Sequence, residues 1–172
     1  MFPPAHVPPR RAPGWRRPAA LVLLLAALGA CRDVNVGEVV TATDLSGGWY
    51  DDGVVEGKNR LLPSVSFRLE KRTSEELGPL ALNVLFKRLV NGEEQEWEDV
   101  YLQRVEFTEG NRSRLLTVRP ANGYTADPPQ SRADMLQHSQ FVDVRAIILA
   151  RQGSTWIEMG RLDLPRTLIT QQ

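Results

Sequence analysis

Residues that usually carry catalytic or metal chemistry are scarce in this sequence. It contains one cysteine, Cys31, and two histidines, His6 and His138. A single cysteine excludes an intramolecular disulfide and any zinc site built mainly of cysteines. Ser131 and Ser139 lie near His138, but neither stands in the Gly-x-Ser-x-Gly pattern that exposes a nucleophile. We therefore expect a protein that is not an enzyme and that uses no metal or other cofactor.

The chain also lacks an excess of positive charge. It has 21 basic and 21 acidic residues. Residues 1–30 contain four arginines and no acid, so the remaining 142 residues carry 17 basic and 21 acidic groups, a net charge of −4. A body of that sign has no electrostatic excess to offer a phosphate backbone, and nucleic acid is not expected as a partner. The length fits one domain.

No hydrophobic run is long enough for an ordinary membrane span. The apolar stretch before Cys31 has about 12 residues, whereas a span needs roughly 20. It follows an arginine-rich segment and ends in small residues, which predicts a secretory signal peptide over residues 1–30. Leu28-Gly29-Ala30-Cys31 resembles the lipobox of bacterial lipoproteins. That resemblance implies cleavage before Cys31, acylation of its thiol and membrane anchoring. Arg32 in the next position favours the outer over the inner membrane.

The mature chain is predicted to have a lipidated N-terminus and tether over residues 31–48 and a β-domain over residues 49–172. Alternating apolar and polar residues predict strands at 65–69 and 80–87. Asn91-Gly92 predicts a hairpin turn. A phase change within 97–107 predicts a bulge near Gln103 or Arg104.

The second half continues as strands with little helix. Residues 141–150 form the strongest strand, and their apolar end predicts a central position. Strands are also expected at 156–162 and 164–169. A loose capping box at Ser131 predicts one short helix. We therefore expect an all-β, immunoglobulin-like antiparallel sandwich, with a barrel as the main alternative.

The segments that alternate apolar and polar residues resemble known bacterial domains. Residues 62–69 and 78–86 resemble bacterial secreted domains of the FxLYD and LEA14-like kind, and residues 123–143 with 153–156 resemble uncharacterised envelope lipoproteins. The resemblance covers about residues 49–169 and implies a fold and a compartment, but no reaction.

Candidate sites are few. His138 is expected to end the short helix, where a cation is favoured. Paired carboxylates could perform acid–base catalysis, but the acidic residues after the Asn91-Gly92 turn fit a solvated loop tip. They are Glu93, Glu94, Glu96, Glu98 and Asp99. Calcium could bind the oxygens of four further residues, but their spacing does not match an EF-hand loop; these are Asp44, Ser46, Asp51 and Asp52. Trp97 and Trp156 are expected in the core.

A contact surface is predicted at Trp49, Tyr50 and Tyr124, because these residues are expected in loops, which commonly carry contacts. We thus expect a lipid-anchored, extracytoplasmic binding module that meets the membrane through its acyl groups and a protein of the cell envelope. The alternative is an accessory or ligand-binding component of an envelope transport system, which holds an apolar ligand between the sheets.

Overall fold

The computed structural model describes residues 35–74 and 76–169. Cys31 and the predicted signal peptide lie outside these residues. Strands dominate the described part, with two short helices. The elements are α1 (Val36–Val39), β1 (Val40–Val55), β2 (Lys58–Lys71), β3 (Leu80–Val90), β4 (Glu93–Val105), β5 (Leu116–Val118), β6 (Tyr124–Ala126), α2 (Arg132–Gln137), β7 (Asp143–Arg151), β8 (Ile157–Asp163) and β9 (Leu168–Ile169).

The strands form two sheets that pack as an all-β sandwich. Sheet A has the order β5-β2-β1-β9, with β6 also pairing to β2, and sheet B has the order β4-β3-β7-β8. Neighbouring strands are antiparallel, except that β9 runs parallel to β1. The central strand predicted at 141–150 is confirmed, since β7 lies between β3 and β8.

The core consists of the inward sides of the alternating strands. In β3 every second side chain from Leu80 to Phe86 is fully buried, and in β2 Val65, Phe67 and Leu69 are buried in the same way. These side chains belong to one cluster with residues of β7 such as Ile148. Burial of each such side chain stabilises the fold by roughly 1.5–3 kcal/mol.

Several local predictions are confirmed. Asn91 and Gly92 both have positive φ, as a two-residue hairpin turn requires. Leu80 pairs with Val105 and Leu82 with Leu102, so the ladder shifts register at Gln103 and Arg104, where the bulge was predicted. The short helix is also confirmed. Ser131 and Asp134 form a complete capping box at its start, and His138 is the C-cap residue.

The predicted tether needs a correction. Residues 36–48 belong to the folded domain, because they form α1 and the first half of β1. Asn35 caps α1 by accepting a hydrogen bond from the amide of Gly37. Val36 and Val40 are each 3% exposed and join the core. β1 then pairs with β2 through a Glu56-Gly57 turn that the sequence analysis did not recognise.

An ion-pair network crosses the outer face of sheet B. Arg145 on β7 binds Asp163 on β8 at 2.5 Å and Glu94 on β4 at 2.7 Å, while Lys87 on β3 lies 3.2 Å from Glu94. Hydrogen bonds from Arg145 lower the pKa of both carboxyl groups. These four residues are called the Arg145 network below.

Candidate functional site

The predicted contact residues do not form one surface. Trp49 and Tyr50 are neighbours on β1, so their side chains point to opposite sides of sheet A. Trp49 is 1% exposed, and its ring packs edge-on against Phe141 at 4.5 Å between centroids. The prediction of Trp49 as a contact residue is therefore wrong, since this side chain belongs to the core.

Tyr124 lies on the same side as Trp49. Its ring meets Phe141 edge-on at 4.9 Å, so Phe141 joins Tyr124 to Trp49. The Arg166 guanidinium lies 5.1 Å from the Phe141 centroid and forms an ion pair with Asp143. Tyr124 is half-buried in this cluster, which closes one part of the core.

Tyr50 faces outward and meets a cation. The guanidinium of Arg119 lies 3.9 Å from the centre of the Tyr50 ring. Its Nε donates a hydrogen bond to Ser64 Oγ at 3.2 Å. Stacking and the hydrogen bond together hold the guanidinium plane in one orientation. Arg119 forms no ion pair with an acidic residue of the described part of the chain.

Arg119 lines a groove of about 280 Å³ on the outer face of sheet A. Strand register supplies a row of hydroxyl groups to this groove, because Ser66 pairs with both Ser46 on β1 and Thr117 on β5. Ser66 Oγ and Thr117 Oγ1 are 2.8 Å apart and share a hydrogen bond. We call this feature the Arg119 groove; its lining residues are Ser46, Gly47, Ser66, Thr117, Arg119, Leu168 and Ile169.

Gly48 explains how β9 comes to form one wall of the groove. A Cβ at Gly48 would lie 2.8 Å from the backbone oxygen of Thr167 and 2.8 Å from Ile169 Cγ2. The same approach lets the amide of Trp49 donate a hydrogen bond to the Thr167 oxygen at 2.8 Å. The glycine therefore allows the last strand to lie close beside β1, where Leu168 and Ile169 border the groove.

Sequence reasoning missed Arg119, Ser66 and Thr117 as site residues. One signal was present, since Ser64 and Ser66 occupy the outward positions of the alternating β2 segment. Small polar residues there leave room above the sheet. The partner residues on β5 carry no comparable signal, because three-residue strands have too little alternation to fix their facing.

Two further stacks lie on sheet B. Arg88 lies 4.5 Å from the Trp97 ring, and Trp97 is half-buried against the core. Trp156 was expected in the core, but it packs outside the core cluster, with Arg151 at 4.4 Å and Tyr101 at 6.0 Å. Both stacks resemble the Arg119 stack in chemistry, and the Arg88 stack provides a matched control for it.

The residues considered for catalysis form hydrogen bonds that stabilise helix ends and loops. His138 Nδ1 accepts a hydrogen bond from the Gln140 amide at 3.2 Å. Ser131 Oγ, near it in sequence, binds Asp134 Oδ2 at 2.6 Å within the capping box. Glu98 was assigned to a solvated tip, but its carboxylate accepts hydrogen bonds from two backbone amides of the loop after β5, at 3.0 and 2.9 Å.

The oxygen ligands weighed for calcium are likewise paired. Asp51 binds Arg132 at 3.1 Å, Asp52 forms an ion pair with Arg60, and Asp44 lies 3.8 Å from Arg68. Within residues 35–74 and 76–169, no group of three or more histidine, cysteine or acidic side chains is placed to hold a metal ion. In the same ranges no helix has the length and apolar character to cross a membrane.

No protein-family model matches this chain, and neither a curated protein nor a solved structure shows significant similarity to it.

Proposed function

We propose that this chain is a lipid-anchored, extracytoplasmic protein of the bacterial cell envelope whose sandwich domain binds a partner without catalysis. The observation that supports a binding role is the Arg119 guanidinium. It is held over Tyr50 at the edge of a groove and has no acidic partner among the described residues. A cation that the fold orients but does not neutralise is available to a ligand.

The strand order supports the finer assignment of an immunoglobulin-like sandwich. In that architecture the first two strands pair, the second pairs with a strand from later in the chain, and the third pairs with the penultimate one. Here β1 pairs with β2, β2 with β5, and β3 with β7, which itself pairs with β8. The parallel strand β9 is an addition to that scheme.

The anchor is proposed on Cys31 and rests on the sequence. Because the folded domain begins at Val36, five peptide units link it to Cys31. Five extended residues reach at most about 18 Å. An acylated Cys31 would thus hold the sandwich near the membrane surface, and the partner would be a neighbour in the envelope. Arg32 favours the outer membrane as that surface.

The alternative of an apolar ligand between the sheets has no observation in its favour. The buried side chains of β2 in sheet A and of β3 in sheet B belong to one hydrophobic cluster. The Arg119 groove lies on an outer face instead.

Two experiments test the proposal. Incorporation of an alkyne-tagged fatty acid is expected in the wild type and not in Cys31→Ala. A photo-crosslinking amino acid at Thr117, in the groove, is expected to capture a defined envelope protein in living cells. The matched position is Arg161, which is exposed on sheet B. Absent labelling would refute the anchor, and identical capture from both positions would refute the groove as the binding surface.

A further inference from the structure

We infer that the Arg119 groove binds a carboxylate group on a ligand that also has a short apolar portion. This inference rests on the proposed binding role and names the chemistry that the site would recognise. Its three supports are the free donors of Arg119, the hydroxyl row and the apolar wall.

The first support is the donor geometry of Arg119. Its Nε is engaged by Ser64, which leaves the two terminal amino groups. No described residue accepts a hydrogen bond from them. A guanidinium presents two parallel N–H donors that match the two oxygens of a carboxylate. The Tyr50 ring at 3.9 Å covers one face of the guanidinium, so a ligand must approach its edge.

The second support is the hydroxyl row beside Arg119. In the Ser66–Thr117 pair one hydroxyl donates to the other, and the accepting hydroxyl keeps its own proton for another acceptor. Ser46 is exposed and lies next to Ser66 in the register. These groups add neutral donors to the cation, and no acidic residue lines the groove. The lining therefore favours an anion over a cation.

The third support is the wall formed by β9. Leu168 is 43% exposed although it is a large apolar residue, and Ile169 stands beside it in the groove. The volume of about 280 Å³ is just below the range of drug-sized ligand pockets, so it suits a small group. A carboxylate at Arg119 with a short alkyl segment against Leu168 would use both sides of the groove.

The test is an NMR titration of the full chain in an uncharged detergent with sodium hexanoate. Saturable shifts are expected for the Arg119 side-chain N–H and the Thr117 amide, and neutral hexanamide should not produce them. Arg119→Gln should weaken hexanoate binding about tenfold or more, because a hydrogen bond to a charged group is lost. Thr117→Val is a second variant that leaves the Arg119 stack intact, and it should weaken binding by a smaller factor.

The matched control is Arg88→Gln, which removes another arginine that is stacked on a ring and has no described acidic partner. It should leave hexanoate binding unchanged. No saturable shift in the wild type, equal binding of hexanamide, or an equal loss in Arg88→Gln would each overturn the inference. So would tighter binding of inorganic phosphate than of hexanoate. Partner capture at Thr117 without hexanoate binding would overturn this inference alone and leave the proposed function standing.

Discussion

Replacing Gly48 with alanine tests the packing of β9 on β1. The added Cβ would lie 2.8 Å from the Thr167 oxygen, closer than real Cβ atoms approach a backbone atom. The last strand must then move away, which costs about 1–3 kcal/mol as for other overpacked sites. Alanine recovers about 0.5–1 kcal/mol, because it loses less backbone entropy than glycine on folding. We expect a net loss of roughly 1–2 kcal/mol, which lowers Tm by roughly 3–8 °C.

The assay is thermal unfolding followed by circular dichroism, with Gly153→Ala as the matched control. Nothing lies within 4 Å of a Cβ at Gly153, and its φ is not in the left-handed region. That variant should therefore be as stable as the wild type or slightly more stable. If Gly48→Ala were also as stable as the wild type, the close approach of residues 167–169 to β1 would be refuted. The same variant should weaken hexanoate binding, since it displaces the wall of the Arg119 groove.

Three further predictions concern the core, a turn and an ion pair. Trp49→Ala should lower the free energy of unfolding by about 3–5 kcal/mol in urea, while Tyr50→Ala should cost far less, because only the first side chain is in the core. Glu56→Asn should raise stability by a few tenths of a kcal/mol to about 1 kcal/mol, because asparagine tolerates the positive φ of this turn, and Asn91→Glu should lower it by a similar amount. Acid should destabilise the wild type as the two carboxyl groups of the Arg145 network, whose pKa values are lowered from 3.8 and 4.5, become protonated. Arg145→Gln should be less stable than the wild type at pH 7 and should lose less stability between pH 5 and pH 2. The free energy of unfolding in urea, measured at several pH values, tests this. If it fell by the same amount in both proteins over this range, the linkage would be contradicted.

The sign of that pH dependence follows from the direction of the shifts. A carboxyl group with a lowered folded pKa binds its proton more weakly in the folded than in the unfolded state. Its contribution is complete above the unfolded pKa and disappears as the pH falls through the folded pKa. The expected window therefore lies below about pH 5, and both carboxyl groups contribute in the same direction.

Strands with one solvated face were predictable from the sequence. From Leu80 to Lys87, β3 alternates strictly between buried and half-buried residues, and the continuous apolar end of β7 marks its position between two neighbours. β1 was not recognised as a long strand. Gly47 and Gly48 have no side chain where Leu164 and residues 167–169 approach the strand closely, and such residues have no hydrophobic alternation. Tertiary packing therefore removed the hydrophobic pattern that would have predicted this strand, whereas the alternation in its partner β2 predicted a strand.

The side of sheet A to which Trp49 points depends on a β-bulge in β1 that the local sequence pattern does not predict. Val40 and Ala42 face the core, so unbroken alternation would turn Tyr50 inward and Trp49 outward. The pairing of β1 with β2 shifts register between Thr43 and Ser46, where Asp44 has a positive φ. One bulge reverses the side to which the residues after it point, and in β1 this reversal holds from Ser46 to the second register shift after Asp51. The contact prediction for Trp49 failed for this reason, and Tyr50 is outward for the same reason.

The outer faces of the two sheets differ in the charges that surround a stacked arginine, and this difference favours sheet A as the binding surface. On sheet B the Arg145 network joins all four of its strands, and a further pair links Arg161 to Glu158 at 2.7 Å. Charges that already have partners gain little from a ligand, which would have to displace those partners. Arg88 and Arg151 of sheet B also stack on rings without a described acidic partner, but the groove at Trp97, beside Arg88, is lined by three acidic residues, Glu96, Glu98 and Asp99. On sheet A Arg119 is oriented by Tyr50 and Ser64, has no described acidic partner and lines a groove without an acidic residue. A carboxylate arriving there forms a charge-assisted hydrogen bond without breaking one, so sheet A is the face on which binding yields the larger net gain.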